Sequence, residues 1–204
     1  MLIKFKKILK AAIKSIIVAF LFVMVIGVSA IVIGKEEIAM VSYALQVVSS
    51  KVENVKKIEP VLEGGVLANY PTFGTRYATL KIPAIELEQP VYYGASNAIL
   101  DSGIAHDESS YFPGEGGSII YAGHNFSRIL ANLPKLVEGD FLTVETSYGT
   151  FEYKMIGSKI IKDTDVNEVP IQKNNEMLMI YTCWPINNIG HATERYVVYA
   201  NLVK

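Results

Sequence analysis

The chain has 204 residues, half of them apolar, with 19 basic and 20 acidic side chains and a net charge of −1. That length suits one domain of ordinary size plus an extension, and the apolar half is ample for a core. A single cysteine excludes an intramolecular disulfide and leaves a lone thiol whose use has to be explained.

The apolar content is unevenly spread. Ser15 to Gly34 is an uncharged stretch of ~20 residues, which at ~1.5 Å each matches the ~30 Å hydrocarbon core of a bilayer. Lys4, Lys6, Lys7, Lys10 and Lys14 precede it. The positive-inside rule then predicts a cytoplasmic basic tail (1–14), a single transmembrane anchor (15–34) in the plasma membrane, and an exported, extracellular remainder. Val28-Ser29-Ala30 offers a small-residue cleavage site, but the apolar run continues through Ile31-Val32-Ile33, so the expectation is an uncleaved anchor. Taking the five lysines from the net charge leaves the exported part at about −6, which excludes nucleic acid as a partner.

Next, Ile38, Val41, Leu45, Val48, Val52 and Val55 recur at alternating spacings of three and four. They form a helical stripe that ends at Pro60 and Gly64-Gly65, and residues 35–69 are read as a stalk helix and linker. From Tyr70 the periodicity changes. Tyr77–Ile82, Leu87–Tyr93, Ser118–Ala122, Phe141–Thr146, Thr150–Ile161, Met177–Thr182 and Tyr196–Leu202 read as strands, with a hairpin turn at Tyr148-Gly149. Ser127 is positioned to cap a short helix from Arg128 to Leu133, ended by Pro134. Many short strands and few helices predict an all-β domain, a closed barrel or sandwich, over residues 70–204.

Three polar residues stand at strand edges. Cys183 ends the apolar run from Met177 and precedes Trp184-Pro185; His124 follows Ser118-Ile-Ile-Tyr-Ala-Gly; Arg195 opens Arg-Tyr-Val-Val-Tyr-Ala. Nucleophile, base and fixed cation are the parts an acyl-transferring cysteine enzyme needs. Each also has a plainer reading. A solitary Cys in apolar surroundings is commonly a small core residue, and Arg195 could simply pair with Glu194 or another acid. Against the latter, Arg195 is one of three arginines, with Arg76 and Arg128, in a chain that uses lysine for routine surface charge. Asp163, Asp165, Asn167 and Glu168 suggest calcium, but the spacing is not that of an EF-hand loop, so a solvated loop without metal is expected.

With these residues in place the chain resembles the sortases, cysteine transpeptidases that attach surface proteins to the envelope of Gram-positive bacteria. The resemblance rests on Leu80-Lys-Ile-Pro83, Phe112-Pro-Gly-Glu115, Ala122-Gly-His124, and Thr182-Cys183 with Arg195 twelve residues on. The Cys-Trp-Pro-Ile context and the Arg-Tyr-Val-Val-Tyr-Ala-Asn-Leu ending are most like class D. The resemblance implies an eight-stranded β-barrel, with Gly103–His106 supplying a strand that the pattern alone does not reveal. It implies Cys183 as nucleophile, His124 as general acid/base and Arg195 as the group steadying substrate and oxyanion. Thr182, Trp184, His106 and His191 are the candidate substrate-binding residues. It further implies an LPxTG-like sorting signal cut between Thr and Gly, an amine acceptor from cell-wall precursor or another protein, and no metal or organic cofactor. Two departures bear on subsites: Met179 replaces a threonine usual in the family, and Asn125 stands where arginine is common.

Two rivals remain at this stage. One is an L,D-transpeptidase-like or other cysteine peptidase acting on peptidoglycan, against which the absence of a Ser-His-Gly-Cys-x-Arg cluster counts. The other is a non-enzymatic envelope assembly module whose cysteine is merely packed.

Overall fold

The computed structural model describes residues 59–186 and 191–203, together with Ile17 and residues 20–24 of the N-terminal segment. The chain divides into two units, Met1–Val41 and Ser42–Lys204. In the first, Ile17 and residues 20–24 are helical, and their apolar side chains are exposed. No helix among the described residues is long and apolar enough to cross a membrane. The rest of the predicted anchor and the stripe from Ile38 to Val55 lie outside the described residues.

The second unit contains ten strands among its described residues: β1 (Leu62–Glu63), β2 (Val66–Leu67), β3 (Arg76–Ile82), β4 (Leu87–Tyr93), β5 (Ile104–His106), β6 (Ser118–Ala122), β7 (Phe141–Thr146), β8 (Gly149–Lys162), β9 (Met177–Trp184) and β10 (Glu194–Leu202). β1 and β2 form a small hairpin, and the other eight close a barrel in the order β10-β8-β7-β3-β4-β5-β6-β9. The β4–β5 and β6–β9 pairs are parallel and the remaining pairs antiparallel. Closure leaves no unpaired sheet edge. The implied eighth strand is β5. All three of its residues are buried, so it carries no alternation for a sequence pattern to reveal. Gly103, just before it, is where β5 closes on β4: a Cβ there would lie 2.7 Å from the Pro90 carbonyl oxygen.

Alternate positions point inward. Leu80 and Ile82 of β3, Ile119 and Tyr121 of β6, Leu142 and Val144 of β7, Leu178 and Ile180 of β9, and Val198 and Ala200 of β10 belong to one buried cluster. The N-terminal hairpin joins it. Leu67 is buried within that cluster, and its backbone N–H donates to Glu115 Oε1 at 2.9 Å. The barrel's packing therefore begins before Tyr70.

The predicted helix from Arg128 to Leu133 is instead a run of turns followed by one 3-10 turn, Leu133–Lys135. Ser127 makes no cap; its carbonyl accepts a bond from Asn132 Nδ2 at 3.4 Å. Ile129 and Ala131 both donate to the Phe126 carbonyl, and the turns send Ile129, Leu130, Leu133 and Leu136 into the core. Their spacing would suit one helical face, but Pro134 lacks the N–H that a continuing helix needs and its ring clashes with the preceding turn, so the segment closes as separate turns.

The interior also holds polar groups, and among the described residues only Tyr148 Oη is buried without a hydrogen-bond partner. Glu176 accepts from the Gly114 and Gly116 amides and from Tyr153 Oη. His106, read from sequence as a candidate for the substrate cleft, lies in the barrel interior, wholly buried among Tyr77, Tyr93, Phe112 and Tyr121. Its Nε2 donates to the Tyr111 carbonyl at 3.1 Å and lies 2.9 Å from Ser110 Oγ. Nδ1 then accepts from Tyr77 Oη at 2.7 Å, and Tyr77 in turn accepts from Tyr121 Oη at 2.8 Å. Burial pushes this imidazole down to about 3, so it is a neutral core residue.

Candidate active site

The register of three adjacent strands builds the site. β6 and β9 run parallel, with Ser118 beside Met177 and so on to Ala122 beside Tyr181. Their association continues past the end of β6: the Gly123 amide donates to the Tyr181 carbonyl at 3.3 Å, and Thr182 Oγ1 donates to the Gly123 carbonyl at 2.8 Å. Stepping on in the same register brings His124 alongside Cys183. On the other side, β9 and β10 are antiparallel and Cys183 is directly opposite Arg195. The order across the barrel end is therefore His124, Cys183, Arg195.

Alternation settles which face they share. Ile180 of β9 and Tyr196 of β10 belong to the interior cluster, so Cys183 and Arg195, an odd number of residues away, stand on the outer face. Ile119 and Tyr121 likewise face in, which puts Ala122 and His124 out. Gly123 lets the chain pass closely here. A Cβ on it would lie 2.8 Å from Leu130 Cδ1 and 2.9 Å from Ile104 Cδ1.

Each of the three residues is held. Cys183 is a free, half-buried thiol at the penultimate position of β9, which extends to Trp184 rather than ending at Thr182 as the pattern suggested. His124 Nε2 donates to Asp101 Oδ1 at 3.1 Å, and its ring packs on Phe126 with centroids 5.3 Å apart. Arg195 Nη1 donates to the Ala192 and Glu194 carbonyls at 2.7 and 2.9 Å, and Nη2 lies 3.9 Å from Asp163 Oδ2. The partner expected on Glu194 is its backbone, not its carboxylate. These bonds engage only part of the five-donor guanidinium fork.

The residues read as substrate-lining candidates separate. Thr182 is buried and serves to tie β9 to Gly123. Trp184 packs against Tyr196, centroids 5.6 Å apart, and against the barrel core. His191 is 79% exposed and lies 3.7 Å from Asp163 Oδ2. Asn125, flagged as a departure, is buried and donates to the Pro185 carbonyl at 3.3 Å, joining the His124 segment to the loop after Cys183.

Beside Arg195 a groove of about 320 Å³ opens on the same outer face. Ile120, Tyr181, Ile161, Val166, Val169 and Ile171 give it apolar walls, with Asp163 and Asp165 at its rim. Burial, reinforced by Asp107, pushes the Tyr181 phenol up, keeping it a neutral hydroxyl on the wall. Sequence reasoning missed this groove, because Val166, Val169 and Ile171 sit in the β8–β9 connection, where no periodicity marks them. It also missed Asp101. The arrangement puts a thiol between an imidazole and a guanidinium at the head of an apolar groove, a layout suited to acyl transfer from an extended peptide.

Comparison with known proteins agrees. A profile of the sortase domain matches residues 80–203. The chain is 33% identical over 133 residues to Sortase D of Bacillus subtilis (strain 168), covering 65% of this chain and 67% of that protein. It is 27% identical over 127 residues to Sortase A of Bacillus anthracis, covering 61% of this chain and 58% of that one. Among solved structures, a Sortase D5 transpeptidase of Clostridium perfringens superposes with a TM-score of 0.59 at 24% identity, covering 65% of this chain and 82% of that one. Sortase C1 of Streptococcus agalactiae superposes with a TM-score of 0.58 at 30% identity, over 63% and 68% of the two chains. The chain belongs to the sortase family of cysteine transpeptidases and within it is most like class D.

Proposed function

We propose that this sortase is a plasma-membrane-anchored, extracellular transpeptidase. In this reading it cleaves an LPxTG-like sorting signal between Thr and Gly and passes the acyl group to an amine. The observation that carries it is the strand register setting Cys183 between His124 and Arg195 on one face. The Ser15–Gly34 stretch supports the anchor, and the five preceding lysines support a cytoplasmic N-terminus.

The chemistry follows from the groups. The Cys183 thiolate attacks the Thr carbonyl carbon, forming a C–S bond while the carbonyl electrons move to oxygen. Arg195, whose charge cannot be lost, stabilises that oxyanion. His124 as imidazolium gives its proton to the glycine nitrogen, the C–N bond breaks, and a thioester remains. An incoming amine attacks the thioester, loses its proton to His124, and the thiolate departs to restore the enzyme. The amine comes from a cell-wall precursor or another protein, and the acyl donor is a surface protein carrying the signal. The apolar groove beside Arg195 receives the leucine and proline of the signal against Ile120, Val166, Val169 and Ile171.

The test is an LPxTG-type fluorogenic peptide incubated with and without an added amine. Release of the C-terminal fragment, together with a new N-terminal fragment joined to the amine, supports the proposal. No cleavage of any such peptide, with cleavage of peptidoglycan stem peptides instead, would overturn it.

A further inference from the structure

Asp101 lies 23 residues from His124 in sequence, immediately after a one-turn helix, Asn97–Leu100. Its backbone amide donates to the Asn97 and Ile99 carbonyls, and Ile99 packs with Ala105 and Ala122 on the outer face. That packing carries the carboxylate to His124, where Oδ1 accepts from Nε2 at 3.1 Å. Both side chains are about two-thirds shielded from solvent, at 29% and 33% exposure. A carboxylate gains nothing from a helix C-terminus, so the helix gives no reason for an acid here.

The bond constrains the ring. An ionised carboxylate only accepts, so the proton in this contact belongs to Nε2. Neutral His124 is then unprotonated at Nδ1, and among the described residues Nδ1 has no hydrogen-bond partner. Resting on the proposed role of His124, we propose that Asp101 is the positioning residue of this sortase: it holds the proton on Nε2 and presents Nδ1 to the Cys183 thiol and the departing amine. An imidazole held by a carboxylate through one nitrogen and working through the other has a fixed tautomer and orientation.

Asp101→Asn tests this because it preserves size and hydrogen bonding while changing what the contact demands. An amide can donate its NH₂ to Nε2 as well as accept from it, so the contact no longer confines the proton to Nε2 and part of the population carries it on Nδ1, the wrong nitrogen for the thiol. Two readouts follow in the full chain. Long-range ¹H–¹⁵N spectra under alkaline conditions report the tautomer without any substrate. They are expected to show Nε2–H in the wild type and a shift toward Nδ1–H in D101N. Kinetics on the LPxTG-type peptide are expected to show kcat lower by about tenfold or more, part of what general acid–base catalysis contributes, with KM within about twofold. Asp101→Ala should lose kcat without acquiring the inverted tautomer, and the wild-type melting temperature should be kept by D101N. A wild type that carries its proton on Nδ1, or a D101A protein with full kcat, overturns the inference. If the tautomer inverts but the wild type cleaves no sorting peptide, the positioning stands and the proposed function is what fails.

Discussion

The buried His106 ties stability to pH in a calculable way. Its ordinary value of 6.5 is lowered to about 3, burial being the largest cause. As pH falls through 6.5 the unfolded chain takes up a proton that the folded chain refuses until about 3. The unfolded state binds more protons throughout that window, so the stabilisation is complete above it and is lost progressively as pH falls. Each pH unit of the window corresponds to about 1.4 kcal/mol, so lowering the pH from 7 to 5 costs about 2 kcal/mol from this residue alone. His106→Gln isolates the effect, because an amide can replace the bonds to Tyr77, Ser110 and Tyr111 yet cannot titrate. Urea unfolding at both pH values, followed by the fluorescence of Trp184, the single tryptophan, provides the comparison. The wild type should lose about 2 kcal/mol more than the variant between the two conditions. Identical pH dependence in both proteins would mean that His106 does not titrate differently in the folded and unfolded chains.

Arg195→Lys should lower kcat by about 10²–10³-fold despite conserving charge, because an ammonium cannot present the planar fork to an oxyanion. Steady-state kinetics should show a comparable loss for His124→Ala and a change within about threefold for exposed His191→Ala; equal losses at both histidines would contradict the choice of base. Leu67→Ala should lower stability by about 2–5 kcal/mol in thermal or urea unfolding, since Leu67 is part of the barrel core. A thermally silent Leu67→Ala would show the β1–β2 hairpin to be dispensable for the barrel.

Seven barrel strands were legible, some by alternation, as in β7, and others as apolar runs of four or more residues, as in β6 and β9. β5 was not, being short and buried throughout. The apolar residues from Ile129 to Leu136 resembled a helix because 3.6-residue spacing and packed turns share the same sparse pattern. Cys183, His124 and Arg195 were readable as strand-edge polar residues, and the structure brings them side by side. In sequence His106, a loop histidine in Gly-Ile-Ala-His-Asp able to border the cleft, is a weaker candidate than His124. What separates them is register: His106 is opposite inward-facing Tyr121, whereas His124 lies three residues beyond that position and faces out. No local signal distinguishes those cases, nor could any mark Asp101, whose contact with His124 is made by the packing of Ile99 on Ala105 and Ala122.

In the proposed mechanism Cys183 carries the acyl group. The most direct test of that role is intact-mass measurement of the protein after brief exposure to an LPxTG-type peptide without amine, with peptide mapping of the adduct. An added mass equal to the LPxT acyl fragment is expected, located on Cys183, discharged by an amine and absent in a folded Cys183→Ala variant. Turnover of the peptide with no adduct on the wild type, or by Cys183→Ala itself, would contradict that role.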